Sequence, residues 1–380
     1  MNQKYGIPKS PQKDGYFYKS IKSSDGRRRM IKAESRRELK SKINAIEEST
    51  MPTPAEPQNT FLEMFDAVQE RKLSLTKDAE RLLSVKNSVK RRRQMYARYF
   101  SGTDFEKMPV KSIKAKHIED IYEYNLQRYD LRRKATADMR SVLKTTFDLA
   151  LRRGIIRNNP YPACDFEQYC YLVVPDSKVS ERGYSQAEID SIIELLHAQQ
   201  CHKSKYYVSY ALELQILCGL RRGEVPPLRW SDIHDGCIDI CREQVTTKDG
   251  CVIVGHTKTW TDRRFPVTEK VMDLLKRLKV AQYNADYHGI YLFPHGDGCI
   301  SNRAVYHLHE RICDKLGITI SKDCVRGTHA FRRNAITDVA NKPGGGLLIA
   351  SKLFGNTPTV AEKNYFTGID LESAVKLLDS

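Results

Sequence analysis

Residues 328–333 of this 380-residue chain read Thr328-His329-Ala330-Phe331-Arg332-Arg333. On a helix, His329 shares a face with Arg332 at i+3 and with Arg333 at i+4. A guanidinium presents planar paired donors that fit phosphate oxygens and stays charged at any working pH. An imidazole beside it can hydrogen-bond the same phosphate or manage a proton near neutrality. Alone, such an arginine is most often a surface ion pair and such a histidine a structural one. The rest of the chain changes that reading.

Upstream stands Gly219-Leu220-Arg221-Arg222-Gly223-Glu224, followed by Leu228-Arg229-Trp230-Ser231-Asp232-Ile233. Downstream stands Leu353-Phe354-Gly355-Asn356, with Tyr365 nine residues after Asn356. A phosphodiester attacked by a phenol accumulates negative charge on its non-bridging oxygens, so rigid cations are needed around it. The residue types alone do not choose Arg221 over Arg222, nor Arg332 over Arg333. Tyr365 is one of 20 tyrosines, and a tyrosine is ordinarily a half-buried packing residue. A phenol ordinarily ionises near pH ~10 and needs neighbouring cations to act as a nucleophile.

The formal charge is +16, which implies a polyanionic partner. No apolar run approaches the ~20 residues that span a membrane, so the expected partner is nucleic acid. The ten cysteines show no framework spacing and no metal box is visible, so free thiols and no metal or other cofactor are expected. Residues 1–50 hold thirteen Lys/Arg against six Asp/Glu, and they read as a hairpin followed by a helix. Its first strand lies around Tyr16-Phe17-Tyr18 and Ile21, Asp25-Gly26 turns it, and 27–33 returns. Ser35 with Glu38 then caps a helix whose Leu39, Ile43 and Ile46 share a face. Such a ribbon fits a major groove, with Arg27, Arg28 and Arg29 as candidate contacts.

Pro52, Pro54 and Pro57 mark a linker, and Thr60 with Glu63 caps the first helix of an all-helical second unit. That unit ends in a helix carrying Met139, Val142, Leu143, Phe147 and Ala150, with Gly154 as its stop. It also holds the basic run Lys90-Arg91-Arg92-Arg93, a candidate phosphate contact. A third, mixed unit opens with the Ser185/Glu188 cap. Strands are predicted over 237–242, 251–256 and 263–267, with Lys248-Asp249-Gly250 turning the first hairpin, and helices follow to the end.

Taken together, the motifs resemble the signatures of the tyrosine recombinases, with the phage and conjugative-transposon integrases as the most similar branch. The resemblance extends over nearly the whole chain. It implies a small α+β arm-binding module (1–50), an all-α, SAM-like core-binding domain (58–168) and a mainly-α catalytic domain with a small antiparallel sheet and a C-terminal tail helix (180–380). It selects Arg221 and Arg332 as phosphate clamps, His329 beside them and Tyr365 as the nucleophile. Glu224 is expected to orient the arginine loop rather than to touch DNA. Lys258, near the family's hairpin lysine, resembles the general acid for the leaving 5′ hydroxyl, with Lys248 as the competing assignment. Asn356 departs from the family's usual His or Trp; its amide can donate a hydrogen bond but cannot exchange a proton.

The activity so implied is site-specific recombination of a mobile element through a 3′-phosphotyrosyl intermediate, without ATP or metal. The expected partners are double-stranded DNA at element ends and target, three further copies of the chain joined through the tail of Leu371, Val375 and Leu378, and an excision factor or host DNA-bending protein. A bacterial cytoplasmic, nucleoid-associated setting is expected. A type IB topoisomerase and a catalytically silent DNA-binding protein are the alternatives.

Overall fold

The computed structural model describes residues 6, 8, 10–22, 28–50, 59–176, 179–247, 250–257, 260–320, 326–342, 344–366, 368 and 375. Their apolar side chains gather into three separate cores. In the smallest, β1 (Phe17–Lys22) and β2 (Arg28–Ala33) pair antiparallel, with Phe17 opposite Ala33 and Lys22 opposite Arg28. Strand alternation turns Ile31 and Ala33 to one face, where Leu39 and Ile43 of α1 (Arg36–Thr50) cover them. Lys32, Met30 and Arg28 are exposed. The cap of α1 forms at Ser35 as expected, and only its return bond is shifted by one residue. Ser35 Oγ accepts from Glu38 N–H at 3.2 Å, but the Glu38 carboxylate returns to the N–H of Glu34 at 3.0 Å. Arg27, the Asp25-Gly26 turn and the three linker prolines lie outside the described residues.

The second core is helical: α2 (Phe61–Ser74), α3 (Ala79–Tyr99), α4 (Asp104–Lys107), α5 (Ala115–Arg128) and α6 (Arg133–Arg152). Thr60 and Glu63 exchange the expected reciprocal bonds at 3.3 and 2.9 Å. Aromatic rings fill the centre, with Phe65 stacked on Tyr96 at 4.2 Å and Phe61 edge-on to Phe105 at 4.7 Å. Met139, Val142, Leu143, Phe147 and Ala150 of α6 are all buried, and Gly154 takes φ +69° just beyond its end.

Short 3-10 turns lead to the third core. After α7 (Gln186–His202), helix α8 (Tyr207–Cys218) is apolar nearly all round and runs through the centre. The chain then forms β3 (Ile233–His234), β4 (Cys237–Ile240), β5 (Glu243–Thr247), β6 (Gly250–Val254) and β7 (Arg263–Pro266). Helix α9 (Glu269–Tyr283) and the short pair β8 (Pro294–His295) and β9 (Gly298–Cys299) follow. Four helices close the unit: α10 (Asn302–Lys315), α11 (His329–Asn341), α12 (Leu347–Phe354) and α13 (Pro358–Asn364). The described residues are thus mainly helical with small antiparallel sheets. No described helix is long and apolar enough to cross a membrane.

The strands pair differently from expectation at one point. The segment 237–242 does not form the first arm of the Lys248-Asp249-Gly250 hairpin. Cys237–Ile240 pairs instead with β3 and β7, with Ile240 opposite Arg263. The hairpin is β5 with β6, closing from Thr247 opposite Gly250. The chain leaves the first sheet at Cys241 and Arg242, where the Arg242 guanidinium is drawn into an ion pair with Asp232.

Gly219 ends α8 with φ +55°, and a Cβ there would stand 2.7 Å from Ala335 Cβ on α11 and 2.8 Å from the Phe354 ring on α12. Gly219→Ala should lower the unfolding free energy by about 2–4 kcal/mol through left-handed strain and overpacking. Urea denaturation of the two proteins reads this directly, and a change below ~1 kcal/mol would show that the three helices can part at little cost.

Candidate active site

The site forms where the ends of α8, α11, α12 and α13 meet. Because Gly219 turns the chain sharply, Arg221 lies over the ends of α12 and α13. Its Nη2 donates to the carbonyl of Gly355 at 3.3 Å and to Asn356 Oδ1 at 3.2 Å. Arg332, on α11, is fully buried. Its Nη1 donates to the carbonyl of Gly219 at 3.1 Å, and its Nη2 to the Phe354 carbonyl and, at 3.5 Å, to Asn356 Oδ1. Both guanidiniums therefore converge on one amide oxygen. Arg222 also borders the cleft, but its guanidinium lies over the Tyr306 ring, 5.0 Å from the centroid. Arg333 donates to the backbone of Asn364 and Arg182.

His329 opens α11, and its Nε2 lies 2.9 Å from the Tyr365 hydroxyl. Tyr365 follows α13 directly and is 9% exposed, with the Arg332 guanidinium 5.7 Å from its ring centroid. Asn356 Nδ2 is buried and has no hydrogen-bond partner among the described residues. Five of the six predicted catalytic residues are thus brought together. The sixth, Lys258, lies outside the described residues, as does Lys248. Most of the C-terminal tail is likewise outside them, and Val375, which is described, is exposed.

A carboxylate organises the arginines. Glu224 is fully buried; its Oε2 accepts from the Arg221 N–H and its Oε1 from Arg221 Nη1, both at 2.8 Å. The same two oxygens take Arg263 Nη1 at 2.9 Å and Nη2 at 2.5 Å. Burial alone would raise the Glu224 pKa, but the Arg263 hydrogen bonds and the charges of Arg263, Arg221 and Arg332 outweigh it and hold the carboxyl down at about 2. Burial, reinforced by the Arg221 charge, lowers Arg332 to about 10, which still leaves it cationic at neutral pH.

Arg263 carries no motif that marks it as a site residue. The available signal was the alternation of Arg263 with Phe265 on a strand: opposite Ile240 and Ile238, both turn inward.

The cluster lines a cleft of about 810 Å³ whose other wall is α3 of the helical unit, through Asn87, Lys90, Arg91 and Gln94. Of the predicted basic run, Lys90 and Arg91 thus face the site. Arg92 is bound internally, donating to the Asp138 carbonyl and Ser141 Oγ at 2.9 Å each, and Arg93 pairs with Asp66 at 3.4 Å.

Residues 184–355 match the model of the phage integrase family. No curated protein sequence matches the chain. Among solved structures, the Tn1549 transposon integrase in complex with a circular intermediate DNA is 17% identical with a TM-score of 0.64, the match covering 84% of this chain and 99% of that one. A lambda integrase dimer bound to a COC′ core site is 17% identical, with a TM-score of 0.57 and coverage of 96% and 97%. The XerH site-specific recombinase bound to difH substrate is 14% identical, with a TM-score of 0.54 and coverage of 86% and 98%. At these identities the likeness is one of fold. The family match over 184–355 makes the carboxy-terminal unit a phage integrase family domain. The solved integrases share the fold of the helical unit as well as that of the matched domain.

Because the Glu224 pKa in the folded protein lies below the ordinary carboxyl value of 4.5, the ionised carboxylate contributes stability above that value and loses it as pH falls toward about 2. Replacing it by Gln strands two partly or fully buried guanidiniums, at a cost of about 3–5 kcal/mol at neutral pH. In urea denaturation at a series of pH values, the gap between the unaltered protein and Glu224→Gln should be widest near pH 7 and narrow below pH 4.5. A gap that stayed constant down to pH 3 would mean that the carboxylate charge is not what the arginines use.

Proposed function

We propose that this chain is a tyrosine recombinase that cleaves and rejoins DNA by attack of the Tyr365 hydroxyl on a backbone phosphate, with Arg221 and Arg332 as the clamp. The observation that carries the reading is the convergence of both guanidiniums on one acceptor, Asn356 Oδ1, within a site that also holds the His329–Tyr365 pair. A phosphate oxygen entering the cleft would take over the donors now given to that amide. The free Nδ2 of Asn356 would then supply one more donor.

In the reaction the Tyr365 oxygen bonds to phosphorus, its proton passing to His329. The P–O bond to the 5′ oxygen breaks, and that oxygen takes a proton from Lys258. The phosphate stays joined to the protein as a 3′-phosphotyrosine until a 5′ hydroxyl of the partner strand attacks it and expels Tyr365. Each exchange trades one phosphate ester for another of similar energy, so no nucleotide hydrolysis is required. The arginines contribute most as charge grows on the non-bridging oxygens.

In the same reading, the basic β1–β2 ribbon with α1 serves as an arm-site DNA reader through Arg28 and Arg29, together with Arg27. The helical unit grips the core site through Lys90 and Arg91. Four copies assemble on two duplexes through their C-terminal tails, and an excision factor or bending protein sets direction. The lambda integrase structure of a tetramer bound to a Holliday junction supports the fourfold assembly by its similar fold.

The test of the chemistry is a nicked suicide substrate from the ends of the parent element, resolved on a denaturing gel. The unaltered protein should form a covalent adduct and Tyr365→Phe none, while both bind the DNA. Binding without an adduct from either protein would favour a silent DNA-binding role.

The core-site contact is tested separately by the salt dependence of binding. Replacing Lys90 and Arg91 together by Ala should flatten the slope of log K against log salt by roughly 1.8, at about 0.9 per phosphate contact. Arg92→Ala should leave that slope unchanged, because its guanidinium is already committed to Asp138 and Ser141. Equal slopes for all three proteins would remove α3 from the DNA interface.

A further inference from the structure

Helix α11 carries a polar stripe that the phosphate chemistry leaves unused. Arg333, Thr337 and Asn341 stand at i, i+4 and i+8, on one face. Arg333 Nε donates to the carbonyl of Asn364 at 3.2 Å, Thr337 Oγ1 to that of Tyr365 at 3.5 Å, and Asn341 Nδ2 to that of Gly368 at 3.1 Å. The stripe therefore runs along the main chain of the segment that bears Tyr365.

Arg333 also reaches in a second direction. Its Nη1 donates to the carbonyl of Arg182 at 3.2 Å, in the strap that enters the catalytic unit from the helical one. The same strap is held on α11 by Asn334, whose Oδ1 accepts from the Tyr184 N–H at 3.0 Å and whose Nδ2 donates to the Tyr184 carbonyl. Just before the helix, Arg326 Nε donates to the Gly183 carbonyl at 3.0 Å. A single guanidinium, 8% exposed, thus joins the strap to the residue immediately before Tyr365. Burying such a cation is costly, and only a planar fork spans two carbonyls this way; an ammonium is a point charge that would favour one.

We propose that Arg333 is a positioning residue for strand cleavage: it fixes the main chain at Asn364 so that the Tyr365 hydroxyl stays at His329, and it ties that placement to the strap between the two units. The inference rests on the reading of Tyr365 as the nucleophile. Arg333 directs its hydrogen bonds to main-chain carbonyls beside the nucleophile. Its leverage comes from geometry, since a displacement of ~1 Å at a nucleophile can cost about 100-fold in rate.

The test is single-turnover adduct formation by the full-length protein at saturating concentration on nicked DNA, with two leaving groups. One substrate has the ordinary 5′ oxygen; the other has a bridging 5′ sulfur, which leaves as a thiolate without needing a proton. Arg333→Lys should bind DNA within about threefold of the unaltered protein yet cleave about 10–100-fold more slowly, and the sulfur should not restore it. Lys258→Ala is the control, slow on the oxygen substrate and restored on the sulfur one. Asn341→Ala, a milder change on the same stripe, should lose about 2–10-fold in cleavage in the same sense and keeps the test valid if Arg333 variants fold poorly.

Cleavage by both Arg333→Lys and Asn341→Ala within about twofold of the unaltered rate would overturn the proposal, as would a loss that the sulfur restores. An unaltered protein that forms no adduct on either substrate would instead overturn the nucleophile reading, and this inference with it.

Discussion

The rest of the site depends on a single buried carboxylate. Glu224 binds Arg221 and Arg263 directly and lies within the field of Arg332, so three guanidiniums are held around one negative charge. Guanidiniums this close repel one another, and burial deprives them of solvent screening. Glu224 offsets only part of that, and two positive charges remain uncompensated within this group of four. For the proposed reaction that excess is the useful quantity. A phosphodiester brings one negative charge and gains a second as the phenol attacks, so the cluster's attraction is greatest at the transition state. The cation excess is built in on folding, and the stability it costs is recovered through Glu224 and through the backbone carbonyls of Gly219, Phe354 and Gly355.

Those carbonyls show how secondary structure serves the site. Gly219 and Gly355 both end helices in left-handed conformations, with φ +55° and +63°. A helix end leaves carbonyls without partners, and a buried end must find donors elsewhere. Here Arg332 and Arg221 are the donors. The helix ends satisfy the arginines and the arginines satisfy the helix ends, so together with Glu224 they hold the clamp before any phosphate binds.

Much of this was legible in the sequence because the relevant signals are local. The Thr60/Glu63 and Ser185/Glu188 caps are four-residue patterns with direct hydrogen-bond consequences, and both form as read. The helical face of α6 follows from spacing alone. The choices between Arg221 and Arg222, and between Arg332 and Arg333, were not local. Adjacent residues on a turn or helix differ in direction by the path of the chain, which depends on Gly219 and on how α11 packs. Arg263 escaped notice for the same reason: its partner Glu224 is 39 residues away and meets it only because β7 pairs with β4 in one register. The β5 arm was missed because Glu243-Gln244-Val245-Thr246-Thr247 lacks the apolar content of a core strand. Its hold comes from outside the strand: Gln244 N–H donates to the Gly223 carbonyl at 2.7 Å, and Gln244 Oε1 accepts from the Asn302 N–H at 2.6 Å.

The two units that enclose the cleft are also joined along the first half of α3. At the start of α3, Glu80 accepts from the Gly255 N–H at 3.1 Å, and the Arg81 guanidinium lies 5.5 Å from the Trp260 ring centroid. His256 stacks on Trp260 at 3.5 Å, and Asn87 Nδ2 donates to the Thr246 carbonyl at 3.2 Å. These groups bracket the connection from β6 to β7, the stretch of sequence that contains Lys258. They are exposed or half-buried polar and aromatic contacts rather than a continuous apolar seam, so each contributes modestly and can be exchanged for contacts with phosphate or water. The strap at 182–184 is the opposite case, fastened to α11 by buried and half-buried hydrogen bonds. The contacts on the α3 side are therefore the more readily exchanged of the two sets, and Arg333 stands in the other set, next to the nucleophile.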